Sequence, residues 1–305
     1  MTRTYRIFGS ELSPYSVKVR SYFRYKGIPH DWVLRNQQNQ EEFKRHAKLP
    51  LIPLVITPDG EGIQDSTPII EQMEERHPEP SVHPDDPVAR FVSFLLEEYA
   101  DEWANKPMFH YRWSYEADQA ATAERIARQM IGGIGDPPKD AVEEIRRRMV
   151  DRLHFVGSSA ETRPIIEGSF HRVLGLLEAH LTERPYLFGQ RPALGDFGLA
   201  AELYECASDP TPGAIMRERA PAVAAWCERM LKPVMEGPFE DWATLRSGLE
   251  PLLRDEVGAL FLPWSDANAR ALEAGNKQVE LTLENRPYRQ APQKYHARSL
   301  AVLRR

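Results

Sequence analysis

Short apolar runs and longer amphipathic runs alternate along the first 80 residues of this 305-residue chain. A short apolar run is typical of a buried strand, whereas apolar residues repeating every third or fourth position predict a helix. By these criteria strands are expected at Tyr5–Phe8, Asp31–Leu34, Leu51–Thr57 and Gly62–Gln64, and helices at Tyr15–Lys26, Gln40–Lys48 and Thr67–Arg76. This order of elements predicts a mixed sheet with helices on both faces.

Beyond a proline-rich linker at residues 78–87, the pattern becomes helical. Helices are predicted at Val88–Ala104, Glu116–Met130, Ala141–Phe155, Thr162–Leu181, Asp196–Cys206 and Ala220–Leu231. Further on, the pattern predicts a helix at Trp242–Val257, a hairpin with strands at Gln278–Leu283 and Tyr288–Gln290, and a last helix at Gln293–Arg304. The predicted organisation is a thioredoxin-like α/β domain at residues 1–80, an all-α domain at 88–235, and an extension at 236–305 packed on the helical domain.

Composition narrows the class of protein. The formal net charge of −6 argues against a nucleic-acid surface, and charged residues interrupt every apolar stretch before it could cross a bilayer. The chain begins a strand almost at once, which leaves no room for a signal peptide. Its two cysteines, Cys206 and Cys227, cannot build a disulfide framework, and its nine histidines show no zinc-like pairing. We therefore expect a cytoplasmic protein with no metal site and no nucleic-acid or membrane partner.

The first candidate for chemistry is Ser13-Pro14-Tyr15-Ser16, at the start of the first predicted helix. A hydroxyl at the N-terminal end of a helix lies beside unpaired backbone N–H groups and the positive end of the helix dipole, an environment that favours a bound thiolate. The same pattern fits an ordinary helix cap by Ser13 with Pro14 at the first helical position. Both interpretations stay open at this point.

Two further motifs could form a peptide site. Ile52-Pro53 begins an apolar strand, and a cis bond there would expose the backbone N–H and C=O of Ile52 to an extended ligand. The alternative is an edge-strand proline without a partner. In Gln64-Asp65-Ser66, Ser66 and the first N–H groups of the next helix can hold a carboxylate, and Asp65 can pair with an ammonium group. A γ-glutamyl group carries both charges on one carbon, although a simple helix cap also explains this motif.

In order and spacing, Ser13-Pro-Tyr-Ser, Ile52-Pro53 and Gln64-Asp-Ser resemble the glutathione transferase family. The segment from Arg184 to Leu199 is similar to the capping segment that this family places before a core helix, except that Ala193 stands where Ser or Thr is usual. The resemblance implies glutathione as co-substrate, a small hydrophobic electrophile bound between the domains, and a homodimer.

Carried over residue by residue, the resemblance assigns a role to each motif. Ser13 or Ser16 would hydrogen-bond the sulfur, Ile52 would pair with the cysteinyl backbone, and Pro53 would be the cis-proline. The γ-glutamyl end would be bound by Gln64, Asp65 and Ser66. Lys48 would reach the glycyl carboxylate, with a solvated lysine as the alternative.

The resemblance therefore implies a transferase that conjugates or transfers the glutathione thiolate to an electrophile. Residues 13 and 16 are serines and not cysteines, which argues against mixed-disulfide chemistry. The alternatives are a non-catalytic binding or scaffold protein of the same fold and a glutathione-dependent lyase or isomerase.

Two other patterns have structural interpretations, and the second of them also has a functional one. The acidic residues Glu97, Glu98, Asp101 and Glu102 are expected to form a solvated or subunit-facing surface. The aromatic segment Met108–Tyr115 either lines the co-substrate pocket, with Tyr111 or Arg112 touching the acceptor, or packs between helices.

Overall fold

The computed structural model describes residues 4–296. Its N-terminal part is a four-stranded mixed sheet in the order β2-β1-β3-β4, in which β1 is parallel to β2 and antiparallel to β3. The strands are β1 (Tyr5–Gly9), β2 (His30–Leu34), β3 (Leu54–Ile56) and β4 (Gly62–Gln64). The helices around them are α1 (Pro14–Tyr25), α2 (Gln40–His46) and α3 (Ser66–Arg76). The predicted thioredoxin-like α/β part is confirmed.

Alternation along the strands explains why helices cover both faces of this sheet. In β1, Ile7 packs into the large core with α1 and α3, whereas its neighbour Phe8 faces a small separate cluster with Phe43 of α2. Successive side chains of a strand point to opposite faces, so one apolar run supplies both clusters.

The remainder of the structure is largely helical, which confirms the predicted second part of the fold. The helices are α4 (Pro87–Tyr99), α5 (Asn105–Ser114), α6 (Glu116–Met130), α7 (Lys139–Val150), α8 (Arg163–Leu181), α9 (Leu194–Ser208), α10 (Pro210–Arg219) and α11 (Pro221–Met230). A π-helical segment, Ala100–Ala104, joins α4 to α5. The buried helix α9 lies at the centre and packs against α1, α4 and α11. Over residues 4–296, no helix has the length and apolar character that a bilayer crossing needs.

Helices α5 and α10 were not predicted from the sequence. Pro210, Pro212 and Gly213 are residue types that usually interrupt a helix, but Pro210 occupies the first turn of α10, where a missing N–H breaks no hydrogen bond. In α5, buried residues lie around much of the helix, so the stretch has little amphipathic period for a sequence pattern to detect.

Past residue 235 the chain forms α12 (Trp242–Leu252), a π-helical segment (Leu253–Phe261), α13 (Leu262–Glu273) and the antiparallel strands β5 (Val279–Leu283) and β6 (Arg286–Gln290). The predicted hairpin is present, and Glu284 and Asn285 form its turn with φ of 51° and 59°. The predicted helix at Trp242–Val257 continues further than expected, and α13 was not predicted. Most of the helix predicted at Gln293–Arg304 lies outside the described residues. The domain boundaries stay predictions.

A buried carboxylate attaches this segment to the helices before it. Glu256 accepts hydrogen bonds from Tyr99 Oη at 3.0 Å, Ser169 Oγ at 2.5 Å and Arg172 Nη1 at 2.8 Å. Burial raises the pKa of Glu256 to about 7, with Ser169 and Arg172 opposing that shift. The extension is thus tied through hydrogen bonds to both α4 and α8.

Candidate functional site

The register of the sheet brings the three sequence motifs to one edge. Phe8 of β1 pairs with Leu54 of β3, and Leu54 pairs with Gln64 of β4, so these residues form one row across the sheet. The loop after β1, the loop before β3 and the start of α3 all adjoin that row. Residues 10–13, 52–53 and 65–66 therefore lie together at the same edge.

The structure places the two candidate serines in different surroundings. Ser13 is the N-cap of α1, and its Oγ accepts a hydrogen bond from Ser16 N at 3.3 Å. It is half-buried, and a capping hydroxyl keeps its own proton for donation. Ser16 has 0% exposure, its Oγ has no partner among the described residues, and a Cβ on Gly9 would lie 2.9 Å from its Cβ. Ser16 thus packs beneath β1, whereas Ser13 lies at the edge.

The loop before β3 is shaped by Gln64. The Ile52-Pro53 bond is cis. Gln64 Oε1 accepts from the backbone N–H groups of Lys48 at 2.6 Å and Leu49 at 2.9 Å. Its Nε2 donates to the carbonyls of Leu49 and Leu51, both at 2.8 Å. The amide of Gln64 is therefore bound to the protein's own backbone, and Lys48 presents an exposed side chain on the loop that it holds.

Asp65 and Ser66 begin α3 in an unusual conformation. Asp65 has a φ of 80°, and its side chain does not cap the helix. Burial raises the pKa of the Asp65 carboxyl, while Lys18 opposes the shift. Ser66 is 1% exposed, and its Oγ lies 3.5 Å from Asp101 Oδ2. The Ser66 hydroxyl is thus directed into the protein, and the start of α3 presents its backbone at the edge.

A group that we name the Lys18 cluster supports the start of α3; it consists of Lys18, Ser66, Thr67, Glu97 and Asp101. Lys18 Nζ donates to Glu97 and, at 2.8 Å, to Asp101 Oδ2, while Thr67 Oγ1 donates to Glu97 Oε1 at 2.6 Å. Burial lowers the pKa of Lys18, but Asp101 and Glu97 outweigh it, so the pKa lies above its ordinary value. The expectation of a solvated or subunit-facing acidic surface was wrong for Glu97 and Glu98, which are 2% and 7% exposed, and burial of Glu97 is tolerated because it pairs with Lys18.

The turn that carries Ser13 also rests on the helical part. Ser10 Oγ donates to Gln129 Oε1 of α6 at 2.7 Å, and Arg112 Nη1 of α5 donates to Leu12 O at 3.1 Å. Arg112 is buried, as is Tyr111, which stacks on Tyr115; both side chains therefore follow the packing alternative for the aromatic segment. Sequence reasoning missed these supports because each joins residues about a hundred positions apart.

Two domain models of one family match this chain. The model described as glutathione S-transferase, N-terminal domain, matches residues 7–81, and the one described as glutathione S-transferase, C-terminal domain, matches residues 139–229. Among curated proteins, the isoprene-epoxide–glutathione S-transferase of Rhodococcus sp. is 23% identical over 231 residues, which cover 73% of this chain and 92% of that protein.

One of the similar solved structures shows the same fold. The β-etherase LigF of Sphingobium sp. is 19% identical, with a TM-score of 0.52 and coverage of 82% of this chain and 99% of that one. A glutathione S-transferase from Rhodospirillum rubrum is 20% identical, with a TM-score of 0.48 and coverage of 78% and 96%.

Proposed function

We propose that this chain, which belongs to the glutathione S-transferase family, binds glutathione at the sheet edge and directs its thiolate to a hydrophobic electrophile. The observation that supports this proposal is the register of β1, β3 and β4, which gathers Ser13, the cis Ile52-Pro53 bond and the start of α3 on one side of the sheet. An extended tripeptide could contact all three segments at once.

Each end of glutathione has a chemical partner along this edge. The γ-glutamyl carboxylate would accept from the free N–H groups in the first turn of α3, and its ammonium would pair with Asp65. The cysteinyl backbone would pair with Ile52, and the exposed Lys48 would reach the glycyl carboxylate. Gln64 would act on this end indirectly, because its amide holds the loop that carries Lys48 and Ile52.

Ser13 is the hydroxyl we assign to the sulfur. Donation of its proton to a thiolate, next to the N-terminus of α1, stabilises the charged form and lowers the thiol pKa from its usual value of about 8.5. The thiolate then forms a carbon–sulfur bond with the electrophile, and the leaving group or opened ring takes the displaced electron pair. Catalysis comes from positioning and charge stabilisation, with glutathione itself as the nucleophile.

Substitution of each serine tests this assignment. The thiol of bound glutathione is titrated by the ultraviolet absorbance of the thiolate in the native protein and in Ser13→Ala and Ser16→Ala. We expect Ser13→Ala to raise the thiol pKa by about 1 unit, equivalent to one lost charge-assisted hydrogen bond. Ser16→Ala is the matched control, and its thiol pKa should stay at the native value. An unchanged pKa in Ser13→Ala would refute the assignment.

Binding and turnover separate the three classes of function. Retention on immobilised glutathione and a thermal shift with the free tripeptide are expected; their absence would favour a scaffold protein. Product analysis then uses chlorodinitrobenzene, an epoxide, an aryl ether and a maleyl compound. The epoxide is included because the name of the curated relative contains one. Conjugates support a transferase, whereas ether cleavage or isomerised product alone would support the lyase or isomerase alternative.

We also propose a cytoplasmic homodimer, as the family resemblance implies. Helix α4 exposes Val88 and Phe91, at 45% and 53%, and Leu51 beside the site is 58% exposed. Apolar side chains exposed to this extent suit a protein interface. Light scattering should give twice the mass of one chain.

A further inference from the structure

We propose that Arg112 is a positioning residue that sets the orientation of the Leu12–Ser13 peptide and so fixes the place of the Ser13 hydroxyl. This inference rests on the function proposed above. Arg112 lies in α5 of the helical part and is 3% exposed. Its Nη1 donates to the backbone oxygen of Leu12 at 3.1 Å, in the turn immediately before the Ser13 cap.

The guanidinium is itself held by Glu205 of α9 and by Asp209, the residue between α9 and α10. Arg112 Nε donates to Asp209 Oδ2 at 2.5 Å, and Nη2 donates to Glu205 Oε2 at 2.7 Å and to Glu205 O at 3.2 Å. The other oxygen of Asp209 accepts from Thr122 Oγ1 at 3.1 Å and from Arg125 Nη1 at 3.3 Å. A planar guanidinium with this many fixed partners has little freedom, so Nη1 points in one direction.

The contact with Leu12 completes the hydrogen bonding of the turn. Leu12 N donates to Ser10 Oγ at 3.1 Å, and Ser13 N donates to Ser10 O at 3.3 Å. Because a peptide unit is planar, bonds to Leu12 O on one side and Ser13 N on the other fix the plane of the Leu12–Ser13 peptide. That plane contains the Cα of Ser13, and the φ of −120° at Ser13 together with the hydrogen bond from Ser16 N then sets where its Oγ lies.

Charge pairing alone does not explain the hydrogen bond from Arg112 to Leu12 O. Glu205 and Asp209 already neutralise Arg112, and a lysine could serve the same two carboxylates. A guanidinium spreads its donors over three nitrogens in one plane, so Nε and Nη2 pair with the two carboxylates while Nη1 reaches Leu12 O, whereas an ammonium offers all its donors from one nitrogen. The geometry therefore connects the helical part directly to the sulfur end of the glutathione site.

Arg112→Lys tests the proposal, with Arg125→Lys as the matched control. Arg125 also pairs with Asp209 but does not touch the turn. With native folding confirmed by thermal melting, the readouts are the pKa of the bound glutathione thiol and steady-state kinetics below that pKa. We expect Arg112→Lys to raise the thiol pKa and lower kcat about 3- to 10-fold, with KM for glutathione nearly unchanged because the γ-glutamyl end stays seated. Arg125→Lys should match the native protein in both readouts.

The outcomes separate this inference from the proposed function. If Ser13→Ala raises the thiol pKa and Arg112→Lys does not, positioning by Arg112 is overturned while the proposed function stands. An equal shift in Arg125→Lys would also overturn it, because the effect would then belong to the buried charges. If Ser13→Ala has no effect, the sulfur assignment fails and this inference fails with it.

Loss of the buried cation could prevent folding, so a second variant is needed. Arg112→Met combined with Glu205→Gln and Asp209→Asn removes the guanidinium together with both buried carboxylates, so no buried ion loses its partner; Arg125, which also pairs with Asp209, is 39% exposed and is solvated by water. The same rise in thiol pKa is expected in this triple variant, and an unchanged thiol pKa would overturn the proposal.

Discussion

Two fully buried lysines lie at the two junctions of this molecule, and their partners differ in kind. Lys18 of α1 joins the N-terminal sheet to α4 and the π-helical segment after it, through Glu97 and Asp101. Lys106 of α5 joins the helical part to the C-terminal extension, and its Nζ donates to Gln290 Oε1 at 3.1 Å. The candidate glutathione site is built on the first junction, next to Ser66.

The surroundings decide whether each lysine keeps its charge. Lys106 Nζ lies 3.9 Å from the ring centroid of Trp264 and 5.4 Å from that of Trp103. Burial lowers the pKa of Lys106 to about 7, with Glu102 opposing. Around Lys18, the two carboxylates reverse the effect of burial. The first junction is therefore ionic, whereas the lysine at the second loses its proton far more readily, although both use the same residue type.

The largest effect should come from breaking the ionic junction. Lys18→Met leaves Glu97 and Asp101 buried without their cation, and removal of one partner of a buried ion pair typically costs about 3–5 kcal/mol. We expect the free energy of unfolding, measured by urea denaturation, to fall by about that amount. Affinity for glutathione should fall as well, because Asp101 and Glu97, the carboxylates that accept from Ser66 and Thr67, lose the cation that holds them in place.

Lys44→Met provides the control for this loss of charge. Lys44 pairs with Glu41 on the surface, where both side chains are mostly exposed. Water screens such a pair, so urea denaturation should show no measurable change. Equal stability of Lys18→Met and Lys44→Met would contradict an ionic junction.

The sequence predicted the edge of the sheet better than the supports beneath it. The strand at Gly62–Gln64 was predicted with its observed bounds, and the family resemblance carried by the motifs implied that Ser13, Pro53 and Ser66 form one site. A short sequence segment is enough to predict such strands and turns, because each depends on a few consecutive residues. Lys18, however, pairs with residues 79 and 83 positions away. In the sequence Lys18 and Glu97 are two charged residues on separate helices, and only the packed structure shows that they are buried together.

The free energy of unfolding should depend on pH through Lys106 at the second junction, and this dependence has no counterpart at Lys18. An unfolded lysine has a pKa of about 10.4, so between pH 7 and 10 the unfolded chain holds a proton that folded Lys106 has lost. Unfolding therefore takes up a proton, and raising the pH over this range makes that uptake less favourable, which stabilises the folded state. Relative to Lys106→Met, the native protein should gain on the order of 1 kcal/mol per pH unit, and less below pH 7.

The difference in free energy of unfolding between the native protein and Lys106→Met isolates the contribution of Lys106, because the buried tyrosines and cysteines titrate in both proteins. The measurement is urea denaturation at several pH values from neutral to mildly alkaline. A flat difference curve would mean that Lys106 stays protonated when folded, and the contrast between the junctions would then disappear.

A single substitution should make the second junction resemble the ionic first one. It should change the free energy of unfolding less than the substitutions of Lys18 and Lys106 do. Gln290→Glu places a carboxylate beside Lys106 Nζ, while the Trp264 Nε1 and Tyr288 Oη donors keep an oxygen acceptor. The donor bond from Gln290 Nε2 to Phe155 O at 2.7 Å is lost, which should cost about 1 kcal/mol. The new charge should hold the proton on Lys106, so the rise in stability between neutral and alkaline pH should shrink strongly. Gln293→Glu, which adds the same charge on the segment after β6, should keep that rise. If the Gln290→Glu curve keeps it too, the proximity of a carboxylate is not what distinguishes Lys18 from Lys106.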